Sequence, residues 1–267
     1  MPTRQRAFRV EAVIIRHQEW GEADRLIVLF SRERGKLRAI AKGSRKSRSR
    51  KAGHLEPFNR VQLLLAQGRD LPLITQAETI GTSISFQDDL LLMGYAAYVL
   101  ELLDRFTIEE EPNPSLYQLL VETFERLRQN QDPLFELRYF EVKLLDEVGF
   151  RPELFHCVVC NEGIQPQDQF FSCELGGVVC PNCAIHPRSL LPITLSALRY
   201  LRHLQRSPYT EARRAKIPLP VEKEMEAIMQ RYLQAILERA LNTPKFIRSI
   251  SASGESQDKL SLNFPRD

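Results

Sequence analysis

Two Cys-x-x-Cys pairs, Cys157–Cys160 and Cys180–Cys183, stand 19 residues apart in a chain of 267. Each pair fits a tight turn that sets two thiolates on one side, and two such turns complete a tetrahedron around zinc. The spacing therefore predicts a zinc site with Cys157, Cys160, Cys180 and Cys183 as ligands. Four thiolates leave no open position for water, so the ion is expected to be a structural staple and not a catalyst. A redox role for the pairs is the secondary reading. The fifth cysteine, Cys173, lies in neither pair and reads as a small buried side chain. His156 and His186 flank the cluster and read as surface or supporting groups. Five clustered cysteines are too few for a secreted disulfide scaffold.

On the N-terminal side of this insert the hydrophobic period changes once, near residue 80. Before it come five short apolar runs, Phe8–Arg16, Leu26–Phe30, Lys36–Ala41, Val61–Ala66 and Leu71–Ile80, punctuated by glycines. That pattern predicts a small barrel or sandwich, and the strand count fits a five-stranded OB barrel. After it, Leu90–Phe106 is apolar nearly all round and predicts a buried helix. Asn113-Pro114 and Asp132-Pro133 open two more, and Gly149 supplies a stop. Helical periodicity returns over Thr194–Arg206 and Val221–Leu241. The expected class is α+β multidomain: an N-terminal OB-fold barrel followed by an all-α domain carrying the four-cysteine zinc knuckle. The expected boundaries are 1–80 for the barrel, 81–250 for the helical domain with its insert at about 155–190, and 251–267 for a polar tail.

Charge separates along the chain. Residues 1–80 hold 17 Lys/Arg against 8 Asp/Glu, and residues 81–156 hold 6 against 15, although the whole chain is only +3. A basic N-terminal third predicts a polyanion partner, most simply nucleic acid. Its densest part, Lys42 to Lys51, has six cations in ten residues and no acid. Lys42, Arg45, Lys46, Arg48, Arg50 and Lys51 are the candidate phosphate contacts, extended by Lys36 and Arg38 on the preceding strand. Glycine and serine keep such a segment flexible, and phosphate contacts give steeply salt-dependent binding with little sequence preference. Trp20, beside Gly21 in a turn, is a candidate for stacking on a base.

No catalytic constellation accompanies these features. There is no GxxxxGK[ST], GxSxG or HExxH sequence. His54-Leu55-Glu56 matches half of a zinc-deaminase signature but lies over a hundred residues from the cysteines, and Val179, not proline, precedes Cys180. Glu19, Glu22 and Asp24 more simply occupy one turn before a strand. The chain is expected to be a non-enzyme. Its longest uncharged apolar run, Leu90–Leu100, is too short to span a bilayer, and Glu11 interrupts any signal-peptide core. A soluble, intracellular protein is the expectation.

The residues also resemble a known family. Trp20–Leu26, Gly35-Lys36-Leu37, Lys42-Gly43 and Gly53–Phe58 look like the N-terminal OB domain of the bacterial recombination mediators of the RecO family. The likeness continues through Glu111-Pro112-Asn113, Arg138–Glu141, Gly149-Phe150, Cys157–Cys160, Phe171-Ser172 and Gly176–Cys180. This resemblance implies an OB domain, a helical domain and, in some members, a zinc knuckle. It implies binding to single- and double-stranded DNA, annealing of complementary strands, and assistance with RecR in loading RecA onto single strands coated by single-stranded-DNA-binding protein (SSB). The SSB C-terminal tail is an implied partner, DNA repair and recombination the implied process, and the bacterial cytoplasm and nucleoid the implied location, with no membrane. The match supports the eight cations as DNA contacts and the four paired cysteines as metal ligands, and transfers no role to Cys173. The competing classes are an OB-fold RNA-binding protein and a zinc-dependent hydrolase or nuclease.

Overall fold

The computed structural model describes residues 7–82, 89–129, 132–185, 189–247 and 249–250. The polar tail expected at 251–267 lies outside them, as does His186. The chain forms two compact units, residues 1–133 with 242–267, and residues 134–241. This division does not fall at residue 80, because two helices group with the barrel.

In the first unit, β1 (Ala7–Trp20), β2 (Asp24–Ser31), β3 (Gly35–Ala41), β4 (Asn59–Ala66) and β5 (Leu73–Thr82) close into a barrel of order β1-β2-β3-β5-β4. Strand β1 serves two partners: Ala7–Val13 pair with β4, and Ala12–Trp20 pair with β2. A register shift between Ile14 and Arg16 bends the strand where it changes neighbour. Val10, Ala12, Ile14, Ile27, Leu29, Leu37, Ala39, Val61, Leu63 and Leu65 point into the interior and are at most 4% exposed. Alternation should leave the opposite face polar, yet Val13, Ile15, Leu26, Val28 and Phe30 are buried too. Helices cover that face. Phe30 stacks on Tyr117 at 6.4 Å between ring centres, and Phe58 meets Phe124 at 6.2 Å.

Those helices are α1 (Leu90–Phe106) and α2 (Pro114–Gln129). Asp89 caps α1, its carboxylate accepting from the N–H groups of Leu91 and Leu92 at 2.9 and 3.0 Å. Asn113 caps α2 through Leu116 N–H at 2.8 Å, with Pro114 in the first turn. Between the helices the chain runs beside β3, where Glu110 N–H donates to Lys36 O at 2.9 Å. This is why residue 35 is glycine: its φ is +64°, and a Cβ there would sit 1.9 Å from the Glu111 carbonyl oxygen.

The second unit holds most of α3 (Pro133–Glu147), then α4 (Leu195–Arg206), the short α5 (Tyr209–Ala212) and α6 (Leu219–Leu237). Gly149, at φ +81°, ends α3 as its position predicts. Thr194 caps α4, its hydroxyl accepting from Ala197 N–H at 3.2 Å. Between α3 and α4 the cysteine segment forms a three-stranded antiparallel sheet, β6 (Gln169–Ser172), β7 (Gly177–Val179) and β8 (Leu190–Ile193), in the order β7-β6-β8. Three- and four-residue strands are too short to show a period, so the sequence reading leaves this segment merely non-helical. Among the described residues, no helix is long and apolar enough to cross a membrane.

Candidate nucleic-acid interface and metal centre

The basic segment leaves the end of β3 and returns through a 3-10 turn, Gly53–Leu55, into β4. It is not a loose loop. Ser44, Lys46 and Ser49 N–H groups donate to the carbonyls of Ala41, Gly43 and Lys46, so the segment folds as successive turns. Its entry is tied to the β1–β2 hairpin. Gly43 N–H donates to Asp24 Oδ1 at 2.7 Å, and Arg45 N–H to the Ala23 carbonyl at 2.9 Å. The Arg45 guanidinium reaches Glu19 at 2.9 Å and the Glu22 carbonyl at 3.2 Å. The acids that resemble a catalytic carboxylate cluster thus anchor the cationic segment.

The eight candidate cations sort by what they touch. Lys42, Lys46, Arg48 and Arg50 are exposed, and their side chains make no ion pair with the described residues. Arg45 is exposed but shared with Glu19, and Arg38 pairs with Glu109 at 2.8 Å. Lys36 and Lys51 turn inward. Lys36 Nζ donates to the Asp104 carbonyl at 2.6 Å and lies 3.3 Å from its carboxylate, its side chain 12% exposed. Lys51 Nζ donates to the Ile74 carbonyl at 2.8 Å, and burial pulls its pKa below the ordinary lysine value despite Asp24. Neither partner is visible from sequence, since Asp104 lies 68 residues from Lys36 and the Ile74 carbonyl is backbone.

Trp20 closes the β1–β2 hairpin opposite Asp24 and is 45% exposed. Its indole therefore stands at the hairpin to which the cationic turns are bonded. Glu56 of the His-x-Glu sequence accepts from Arg25 at 2.8 Å and meets His17 at 3.0 Å. Burial raises its pKa, but these two partners outweigh it and hold the carboxyl below its usual range. His54 meets Thr79 Oγ1 at 2.8 Å. Both groups brace the barrel and are distant in sequence from any cysteine.

In the second unit the two Cys-x-x-Cys turns converge. The Sγ atoms of Cys157, Cys160, Cys180 and Cys183 all lie within 4.8 Å of one another, with Cys160 and Cys180 3.9 Å apart. Backbone geometry makes each knuckle: Asn161, at φ +62°, donates to Cys157 O at 2.8 Å, and Ala184 donates to Cys180 O at 3.1 Å. Strand β7 delivers Cys180, whose N–H donates to Cys157 Sγ at 3.3 Å. Burial pushes the Cys157 thiol up, but the N–H groups of Cys160, Cys180 and Val159 outweigh it and bring it down to about 6. Cys183 is pushed up to about 12, chiefly by its thiol neighbours Cys180 and Cys160. Without a cation the cluster thus ionises in part only; a bound metal ion would draw all four into the thiolate form. Cys173 stands outside the group, half-buried, its thiol raised by burial.

The chain matches family models along almost its whole length: "Recombination protein O N terminal" over residues 6–83 and "Recombination protein O C terminal" over residues 87–245. It is 36% identical to the DNA repair protein RecO of Roseiflexus sp. (strain RS-1), covering 92% of this chain and 87% of that protein. It is 33% identical to the RecO of Dehalococcoides mccartyi (strain CBDB1), covering 89% and 93%. The RecO of Bacillus pumilus (strain SAFR-032) is 32% identical, covering 95% and 96%. With both halves matched and a barrel, helices and clustered thiols in the order the resemblance implies, the chain belongs to the RecO family of DNA repair proteins.

Proposed function

We propose that this DNA repair protein binds single- and double-stranded DNA through the turns between β3 and β4 and anneals complementary strands. With RecR it would help load RecA onto SSB-coated single strands, recognising the SSB C-terminal tail, at sites of damage in the bacterial nucleoid. The observation that carries the reading is the cationic segment: Lys42, Lys46, Arg48 and Arg50 are exposed and unpaired among the described residues, on turns pinned by Asp24 and Ala23. Two complementary strands repel through their phosphates. A fixed cluster of free cations screens that repulsion, and holding both strands on one molecule makes pairing effectively intramolecular. No step of this action breaks or makes a covalent bond.

The four-cysteine group supports a structural zinc ion. Zinc–thiolate bonds of about 2.3 Å place tetrahedral sulfurs about 3.8 Å apart, and the four Sγ atoms already approach that spacing. Bound zinc would supply a cross-link between β7 and the turn after α3, and its filled coordination shell leaves no site for hydrolysis. Purification under reducing conditions should yield about one zinc per chain.

The decisive experiment is strand annealing, with and without SSB, comparing the wild type with a variant in which Lys42, Lys46, Arg48 and Arg50 are alanine. Each lost phosphate contact lowers the salt slope of single-strand binding by about 0.7, so the variant should lose up to about 2.8 and anneal poorly. Unchanged annealing and an unchanged slope would remove the basis of the reading. Preferential binding of RNA over DNA in direct competition would favour an RNA-binding role instead.

A further inference from the structure

A second cationic surface lies in the unit formed by residues 134–241, and the proposed function makes no use of it. Between Leu195 and Lys216 the chain holds six Lys/Arg and one acid, Glu211. Arg199, Arg202 and Arg206 recur on α4 at spacings of three and four, so they share one face over about 10.5 Å of helix. Arg202 and Arg206 both lie over the Phe155 ring, their guanidinium carbons 5.0 and 4.6 Å from its centre. Arg202 is fixed by donating from Nε to the Leu154 carbonyl at 2.8 Å, a bond that does not use its two terminal nitrogens. Arg199 and Arg206 are exposed and form no ion pair with the described residues.

Each guanidinium gains from lying over the ring, but two like charges held this close repel one another, and a bound anion would relieve that repulsion. Two guanidiniums crowd one ring, and burial followed by the charge of Arg206 pulls the Arg202 pKa below its ordinary value. Glu153 is the acid that acts on Arg202, and its carboxylate is already taken by the N–H groups of Phe155 and His156 at 2.6 and 2.9 Å. A guanidinium stacked on an aromatic ring offers a flat cationic plane, on which a nucleobase can stack while the N–H groups take phosphate oxygens. An acidic peptide would use the charge but not the plane. We propose that Phe155, Arg199, Arg202 and Arg206 form a second nucleic-acid-binding face, which takes a single strand by both its phosphates and its bases. It rests on the strand-annealing reading, and it gives one chain two places to hold two strands.

The test uses the full-length protein and two non-complementary oligodeoxynucleotides, one biotinylated on beads and one fluorescent in solution, so that pairing cannot report. The wild type should carry the fluorescent strand onto the beads. R199E/R206E alters two exposed side chains and should keep the wild-type unfolding temperature and zinc content; R199A/R206A replaces it if it does not. Either pair should reduce co-capture about tenfold and, for the alanine pair, lower its salt slope by about 1.4, while binding to a lone strand through the intact basic turns stays within about twofold. If the wild type binds one strand and the variants co-capture the second as well as it does, this inference falls and the annealing reading stands. If the wild type binds no strand at all, both fall. A fluorescent oligoglutamate retained by the wild type and released by R199E/R206E, with co-capture unchanged, would assign the face to an acidic peptide and overturn the proposal.

Discussion

A lysine already bonded to a carbonyl or carboxylate must give up that bond before it can hold a phosphate, whereas an exposed lysine gives up only water. Of eight Lys/Arg residues that pattern alone marks as phosphate contacts, Lys36 and Lys51 are spent on Asp104 and the Ile74 carbonyl, while Lys42, Lys46, Arg48 and Arg50 face solvent. Local spacing could find the segment; only the folded barrel could divide it, because the two captured lysines find partners far along the chain. The difference is measurable. Lys46→Ala should lower the salt slope of single-strand binding by about 0.7 with stability unchanged within about 0.5 kcal/mol. Lys36→Ala should do the reverse, leaving the slope alone and destabilising the barrel by about 1–3 kcal/mol, since it strips the Asp104 carbonyl of its lysine donor and leaves the carboxylate to Arg16 alone. Titrating DNA at several salt concentrations, beside urea unfolding of the same proteins, separates the two. An equal slope change for both lysines would show that the inward contact opens when DNA binds.

At the scale of elements, the sequence was most legible where one residue decides a boundary. The run over Leu90–Phe106 coincides with α1, and Asn113-Pro114 and Thr194 open helices where expected. It was least legible where an element answers to a distant partner. The continuous burial along β2 exists because α2 covers the barrel's outer face, and the seal there is a polar triad. Tyr117 OH donates to Glu11 Oε1 at 3.1 Å, and Arg60 donates to the same carboxylate. Burial, then the Glu11 charge, raises the Tyr117 pKa well above the ordinary phenol value of 10. The folded state therefore holds this proton more tightly than the unfolded one. Its contribution is complete below about pH 10 and declines as pH rises beyond that, where the unfolded state binds fewer protons. Tyr117→Phe should cost about 1–2 kcal/mol at neutral pH and show a shallower loss of stability above pH 10, measured by urea unfolding at several pH values. Gly35→Ala should be worse for a different reason. It adds a methyl group at φ +64° against the Glu111 carbonyl, so the loss should exceed about 1 kcal/mol, with no dependence on pH.

The whole molecule rearranges the charge that the sequence separates. Asp104 pairs with Arg16 and Lys36, and Glu109 with Arg38, so acids of the middle stretch neutralise bases of the barrel within one compact unit. Counted by units, residues 1–133 with 242–267 carry 24 Lys/Arg against 21 Asp/Glu, and residues 134–241 carry 13 against 13. Neither unit is a strongly charged body. What attracts a polyanion is a local surplus on the β3–β4 turns, and local surpluses act within about 8 Å at physiological ionic strength. The same partition sets what metal removal does. The four thiols belong wholly to residues 134–241, whereas Trp20, the only tryptophan in the chain, belongs to the barrel and stands where the cationic turns are tied. Each unit has its own core, so a chelator under reducing conditions should loosen the second unit and lower its unfolding temperature. The barrel should keep its Trp20 emission and its quenching by single-stranded DNA. Following tryptophan fluorescence and far-ultraviolet circular dichroism together through a thermal scan distinguishes the cases: the dichroism should gain an early transition that the fluorescence lacks. A Trp20 signal that moves with the metal would mean instead that the ion stabilises the barrel as well, and that the two units unfold as one.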